Sequence, residues 1–122
     1  MQEELVENKM TVPFLTVLGV AQDGGVPHCG CYKECCRDAW LNPSLQKLAS
    51  CLGLIDPISQ QRWMFDATPD FKFQLWSLHN QLPFVSEKLL DGIFFTHGHI
   101  GHYTGLLNLE KAIMNSKKVP VF

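Results

Sequence analysis

Apolar positions follow two different periods along the chain. The run "VPFLTVLGV" over 12–20 is short, apolar and rich in β-branched residues, and it predicts a buried strand. Over 21–36, "AQDGGVPHCGCYKECC" has no period and is dense in Gly, Pro and Cys, which predicts a loop. Two further apolar stretches, 49–55 and 62–67, flank the turn-rich "DPISQQ" and predict an antiparallel hairpin. The period then changes. Phe71, Leu75, Leu78 and Leu82 fall on one helical stripe, with Thr68 placed as N-cap and Pro69 at the first helical position. Residues 89–96 predict a buried strand, Leu106, Leu109 and Ile113 a second helix, and "KVPVF" the start of another strand. The polar stretch 1–11 predicts a frayed start. The order strand, hairpin, helix, strand, helix, strand mixes antiparallel and crossover connections, so the expected class is α/β or α+β.

A chain of 122 residues suits one domain, 1–122, with a Cys-rich loop over 22–40 inside it. A formal charge of -2, with scattered Lys and Arg, leaves no electrostatic footprint for nucleic acid or an anionic membrane. No apolar stretch approaches the roughly 20 residues that span a bilayer. The acidic first ten residues lack the basic-then-apolar pattern of a secretory signal. The expectation is a soluble cytoplasmic protein with a small-molecule substrate.

Chemistry concentrates in two places. The first is the cysteine loop: Cys29, Cys31, Cys35 and Cys36 fall within eight residues, with His28 in front. In a reducing compartment such a cluster points to a metal site rather than a disulfide framework. The expected ion is structural zinc, held by Cys29, Cys31 and one or both of Cys35 and Cys36, with His28 as an alternative ligand. Free thiols remain the competing reading. Cys51 lies in an apolar stretch and reads as a small buried hydrophobe, and His79 as a boundary residue of the first helix.

The second place is "IFFTHGHIGHYTGL" over 93–106, where His97, His99 and His102 fall as H-x-H-x-x-H. Two imidazoles one residue apart can face the same side of an extended backbone, and a third can reach back from the start of the next helix. Gly98 and Gly101 permit close approaches that a Cβ would block. The spacing suits a metal centre with ligands that converge.

This segment resembles the signature of the metallo-β-lactamase fold superfamily, T-H-x-H-x-D-H-x-x-G. The resemblance implies that His97 and His99 serve a first metal and His102 a second, and that Gly105 lets the following helix pack closely. "RWMFDATPD" resembles the strand that carries an acidic residue, Asp66 in this chain, toward the metals. "LGVAQDGG" resembles the loop of a subgroup related to pyrroloquinoline quinone biosynthesis protein B, whose members carry a cysteine-bound structural metal nearby. The implied fold is a four-layer αββα sandwich, of which this chain covers the N-terminal half as a mixed sheet with helices on one face.

One departure matters. The superfamily aspartate falls on Gly101, which has no side chain to ligate with. A carboxylate from elsewhere, Asp23 or Asp66, is then the candidate substitute, and Asp66 is also a candidate acceptor for a histidine N–H. The implied activity is metal-dependent hydrolysis of an ester, amide or phosphoester by water activated at a catalytic centre of one or two zinc ions, with iron(II) compatible with the same donors. The alternatives are a non-catalytic zinc-binding domain and an iron-dependent oxidative enzyme. The remaining ligands of the superfamily lie in the second half of its fold, so the sequence reads as a fragment, a truncated form or part of a longer chain. The uncovered sheet predicts self-association.

Overall fold

The computed structural model describes residues 11–84 and 88–122. The frayed start expected over 1–11 falls almost wholly outside them. Four strands form one sheet in the order β1 (Phe14–Gly19), β2 (Cys51–Asp56), β3 (Gln61–Phe65) and β4 (Gly92–Phe94). β1, β2 and β3 run antiparallel, and β4 joins β3 in parallel, so the sheet is mixed as predicted. The segment at 120–122 continues beyond β4 as a parallel bridge, with Ile93 N–H donating to Pro120 O and Phe122 N–H to Ile93 O.

Pairing fixes which residues share a face. Thr16, Gly53, Met64 and Ile93 form one cross-strand row, and Val17, Leu52, Phe65 and Phe94 form the next row on the opposite face. The first face is covered by α2 (Phe71–Gln81), and Phe71, Leu75 and Leu78 of its stripe are buried against Ile55, Met64 and Ile93. Each such side chain contributes roughly 1.5–3 kcal/mol of burial free energy. The second face keeps an aromatic ladder, Trp63, Phe65, Phe94 and Phe122, with neighbouring centroids 5.2–5.4 Å apart along Phe65, Phe94 and Phe122. Leu15 and Val17 are more than 60% exposed on that side.

Three expectations change. The loop expected over 21–36 ends early, because α1 (Glu34–Leu41) is helical and buries Cys36 and Ala39 three positions apart. Thr68 does not cap α2. The cap position is Asp70, and Thr68 Oγ1 instead accepts from Asp70 N–H and donates to Gln74 Oε1. Asp70 and Gln74 in turn grip Ala49, through its N–H and its carbonyl.

The second helix is not α-helical. Ile100–His102 and Thr104–Leu109 are 3-10 turns. An α-helix would use Gly105 N–H and His102 O for its own ladder, but Ala67 takes both, accepting from the first at 2.9 Å and donating to the second at 2.8 Å. Leu106 N–H then falls back on Tyr103 O, one residue nearer. No helix among the described residues is long and apolar enough to cross a membrane.

Candidate metal centre

The histidine loop leaves the C-terminal end of β4 and is stitched to the end of β3. Ala67 makes the two backbone bonds just described, and Gly105 sits so close that a Cβ there would lie 2.5 Å from Thr68 O. The close packing expected at Gly105 is therefore present, although Gly105 lies on a 3-10 turn and not on an α-helix. Gly98 differs: a Cβ there meets nothing within 4 Å, so its freedom is not used for close approach.

Asp66 organises the site. It is 5% exposed and has φ +69, a left-handed conformation that L side chains adopt at a strain of about 1–3 kcal/mol. That twist turns its carboxylate under the loop. Oδ1 accepts from Thr96 N–H at 2.9 Å, both oxygens lie within 3.0 Å of Thr96 Oγ1, and Oδ2 is 2.7 Å from His102 Nδ1. With its hydroxyl proton given to Asp66, Thr96 Oγ1 accepts from His97 Nδ1 at 2.9 Å. These partners assign the proton of His97 to Nδ1 and leave its Nε2 as a lone pair, while His102 donates from Nδ1 to Asp66.

The imidazoles gather around His97. Its Nε2 lies 3.0 Å from His99 Nδ1, and its ring centroid is 4.1 Å from that of His102. Two nitrogens bound to one tetrahedral zinc at about 2.0–2.1 Å stand roughly 3.3 Å apart. The His97–His99 pair thus fits as two ligands of one cation. His102 is differently engaged: its Nε2 lies 2.7 Å from Asp23 Oδ1, on the loop after β1. Burial would lower the pKa of His102, but hydrogen bonding and charge from Asp66, followed by Asp23, more than offset this and raise it above its ordinary value. The resemblance makes both aspartates candidates. Only the fold shows that they take opposite nitrogens of one ring.

Two open clefts border this arrangement. One, of about 410 Å³, is lined by Gly19, Ser50, Phe65, Asp66 and Thr96. The other, of about 240 Å³, is lined by Asp23, His28, Pro69, Ile100 and Thr104. Thr104 Oγ1 is buried there without a partner.

The cysteine loop makes a second candidate centre. Among the described residues, Cys31, Cys35 and Cys36 form the group of three whose ligand atoms all lie within 4.8 Å of one another. Cys31 Sγ and Cys35 Sγ are 3.8 Å apart, and Cys35 Sγ and Cys36 Sγ 3.9 Å. Thiolates on one tetrahedral zinc at about 2.3 Å stand roughly 3.8 Å apart. Cys29 is exposed and outside this group, and the backbone N–H of His28 donates to Cys36 Sγ at 3.3 Å. All five cysteines are free. Cys51 is buried as expected, with Sγ donating to Phe65 O at 3.3 Å, and burial pushes its thiol up to about 12. His79 is half-buried, with Nδ1 lacking a partner.

The mixed sheet, its single helical cover and the histidine loop at the strand ends define the class: the metallo-β-lactamase fold, over its first sheet and helix. Within that class the particular likeness is to PqqB, and over the part of the chain compared this is a PqqB-like protein. No family model matches the chain. It is 29% identical over 98 residues to Coenzyme PQQ synthesis protein B of Rhodopseudomonas palustris (strain TIE-1), covering 78% of this chain and 32% of the relative. Identity to the protein of the same name from Methylorubrum extorquens (strain PA1) is 26% over 100 residues, 80% of this chain and 33% of the relative. The chain thus spans about a third of the length of the curated relatives it matches. Among solved structures, Zn2+-bound PqqB from Methylobacterium extorquens superimposes with TM-score 0.65 and 26% identity over 78% of this chain and 35% of that one. A diphosphatase from the PhnP family does so with TM-score 0.60 and 28% identity over 89% of this chain and 40% of that one.

Proposed function

We propose that the chain carries the histidine half of a metal-dependent hydrolase centre. His97 Nε2 and His99 Nδ1 would be two ligands of a zinc ion, His102 and an aspartate stand beside them, and Asp66 orients two of the three rings, His102 directly and His97 through Thr96. The observation that carries this reading is the spacing of 3.0 Å between two imidazole nitrogens, one of which Thr96 fixes as a lone pair. A divalent cation held there supplies Lewis acidity and lowers the pKa of a water it binds. The chain's own groups do the rest. Asp66 orients the rings through Thr96 and His102, and the cleft beside Thr96 admits a small ester, amide or phosphoester. A phosphoester is the first choice to test, because a diphosphatase is among the structural neighbours. Iron(II) is compatible with the same donors, and the PqqB likeness keeps oxidative chemistry as the variant to exclude.

A second reading, a zinc domain without catalysis, is favoured by one separate observation: the sulfur spacing at Cys31, Cys35 and Cys36 fits a structural zinc by itself.

The test is Asp66→Asn in the full-length protein, measured by metal competition and by hydrolysis of a generic phosphodiester with and without chelator. Loss of an oriented acceptor lowers metal affinity by about 10–100-fold, and turnover falls with it. Unchanged affinity in Asp66→Asn would overturn the metal assignment. Metal binding with no chelator-sensitive turnover would leave the zinc domain instead.

A further inference from the structure

Gly101 and Asp23 compete for one volume. Gly101 is buried, and a Cβ built on it would lie 2.6 Å from Asp23 Cβ, 2.7 Å from Cγ and 3.0 Å from Oδ2. These distances to Cβ and Cγ are closer than real side chains come. No side chain fits at 101 while the Asp23 carboxylate stays where it is. That carboxylate is not idle: Oδ1 lies 2.7 Å from His102 Nε2, the nitrogen turned away from Asp66. The loop that delivers it is held down. Gly25 N–H donates to Gln22 O, Val26 pairs with Lys47 through two backbone bonds, and Ala21 N–H donates to Leu48 O.

We propose that Asp23 is the relocated carboxylate of the histidine centre. It enters from the loop after β1 into the space that an aspartate at position 101 would need, and with His102 Nε2 it forms a second divalent-cation position beside the His97–His99 pair. The proposal rests on the metal reading given under Proposed function. The chemistry is consistent. His102 Nε2 and Asp23 Oδ1 face each other at 2.7 Å, an imidazole nitrogen and a carboxylate oxygen of the kinds that share a divalent cation. A zinc ion bridging nitrogen and oxygen needs them roughly 3.3 Å apart. A small outward swing of Asp23, which is half exposed, supplies that.

The test is a swap, read by metal content and by the visible spectrum of the cobalt(II)-substituted full chain. Asp23→Asn should lose one equivalent of bound metal, or at least about tenfold in affinity for it, and should change the cobalt bands. Gly101→Asp alone should lower the melting temperature, because two carboxylates now share one space. The double variant Asp23→Gly with Gly101→Asp should recover both the melting temperature and the lost equivalent. If Asp23→Asn binds the same metal with the same affinity and spectrum, the proposal is overturned. The same holds if the double variant melts and binds no better than Gly101→Asp. His97→Ala separates the two levels. Should it leave metal content untouched, the underlying metal reading falls and this proposal with it. Should it lose metal while Asp23→Asn does not, only the assignment of Asp23 falls.

Discussion

The five thiols, read one at a time, test the cysteine loop. Cys31 lies lower than an ordinary thiol, chiefly because the backbone N–H of Lys33 stabilises its thiolate and then because of Cys36. Cys35 is raised, first by Cys31 and then by Cys36, each of which hydrogen-bonds it in its protonated form. Cys51 is raised to about 12 by burial and by the charge of Asp66. Only the thiolate alkylates, so a lowered pKa speeds reaction near neutrality and a raised one delays it. In metal-free protein at pH 7.5 we expect iodoacetamide to modify Cys31 before Cys35, and to leave Cys51 untouched until the pH approaches 12 or the fold opens. Zinc should protect Cys31, Cys35 and Cys36 together while Cys29 stays reactive. Peptide mass mapping at timed intervals checks the order, and protection of Cys29 would return it to the ligand set. At this scale the sequence was informative where chemistry alone dictates spacing. Three histidines in six positions and four cysteines in eight stand out without a fold. Which thiols meet was not legible, because α1 turns Cys35 and Cys36 toward Cys31 and leaves Cys29 outside. The pairing of Asp23 with His102 was equally hidden, since it joins residues 79 positions apart.

Elements were legible where one face is buried against one partner. The hairpin of β2 and β3 and the stripe of α2 obey simple periods because the covered face of the sheet needs nothing else from them. The 3-10 turns after His99 did not follow their apolar spacing, since Ala67 draws off the backbone groups an α-helix would need. A tertiary bond overrode a local preference, and it did so at the candidate site. Another element depends on a tertiary contact that periodicity does not show. Arg62, 1% exposed on β3, donates from Nη2 to Leu82 O at 3.0 Å and Phe84 O at 3.4 Å, and stacks 3.6 Å from the Phe84 ring centroid. It thereby ties the chain leaving α2 to the sheet. Arg62→Met keeps much of the apolar stem but removes the donors. Each charged hydrogen bond is worth roughly 1.5–3 kcal/mol, and the longer one is weak, so we expect a loss of about 2–4 kcal/mol in urea unfolding. Hydrogen exchange should accelerate at the end of α2 before it does in β2. A loss below about 0.5 kcal/mol would mean that the carbonyls of Leu82 and Phe84 find water equally well.

Across the molecule, the two sheet faces are unequal. One face is closed by α2. The other presents Leu15, Val17, Leu52 and an aromatic ladder ending at Phe122. Leu15 and Val17 sit on β1, an edge strand of the sheet, and are 61% and 63% exposed. A contiguous apolar face beside an unpaired edge favours association, through burial at roughly 25 cal/mol per Å² and through strand pairing. A lysine on such a strand opposes both, because bringing two copies together would bury its charge. We therefore expect the chain, at tens of micromolar, to sediment as dimers or larger species. Leu15→Lys combined with Val17→Lys should shift it to the monomer. Both positions point away from α2, so the double variant should keep its unfolding free energy within about 1 kcal/mol and its metal content unchanged. A wild-type chain that stays monomeric at that concentration would show that this face does not drive association. A double variant that unfolds would show instead that the exposed rows contribute to the fold itself.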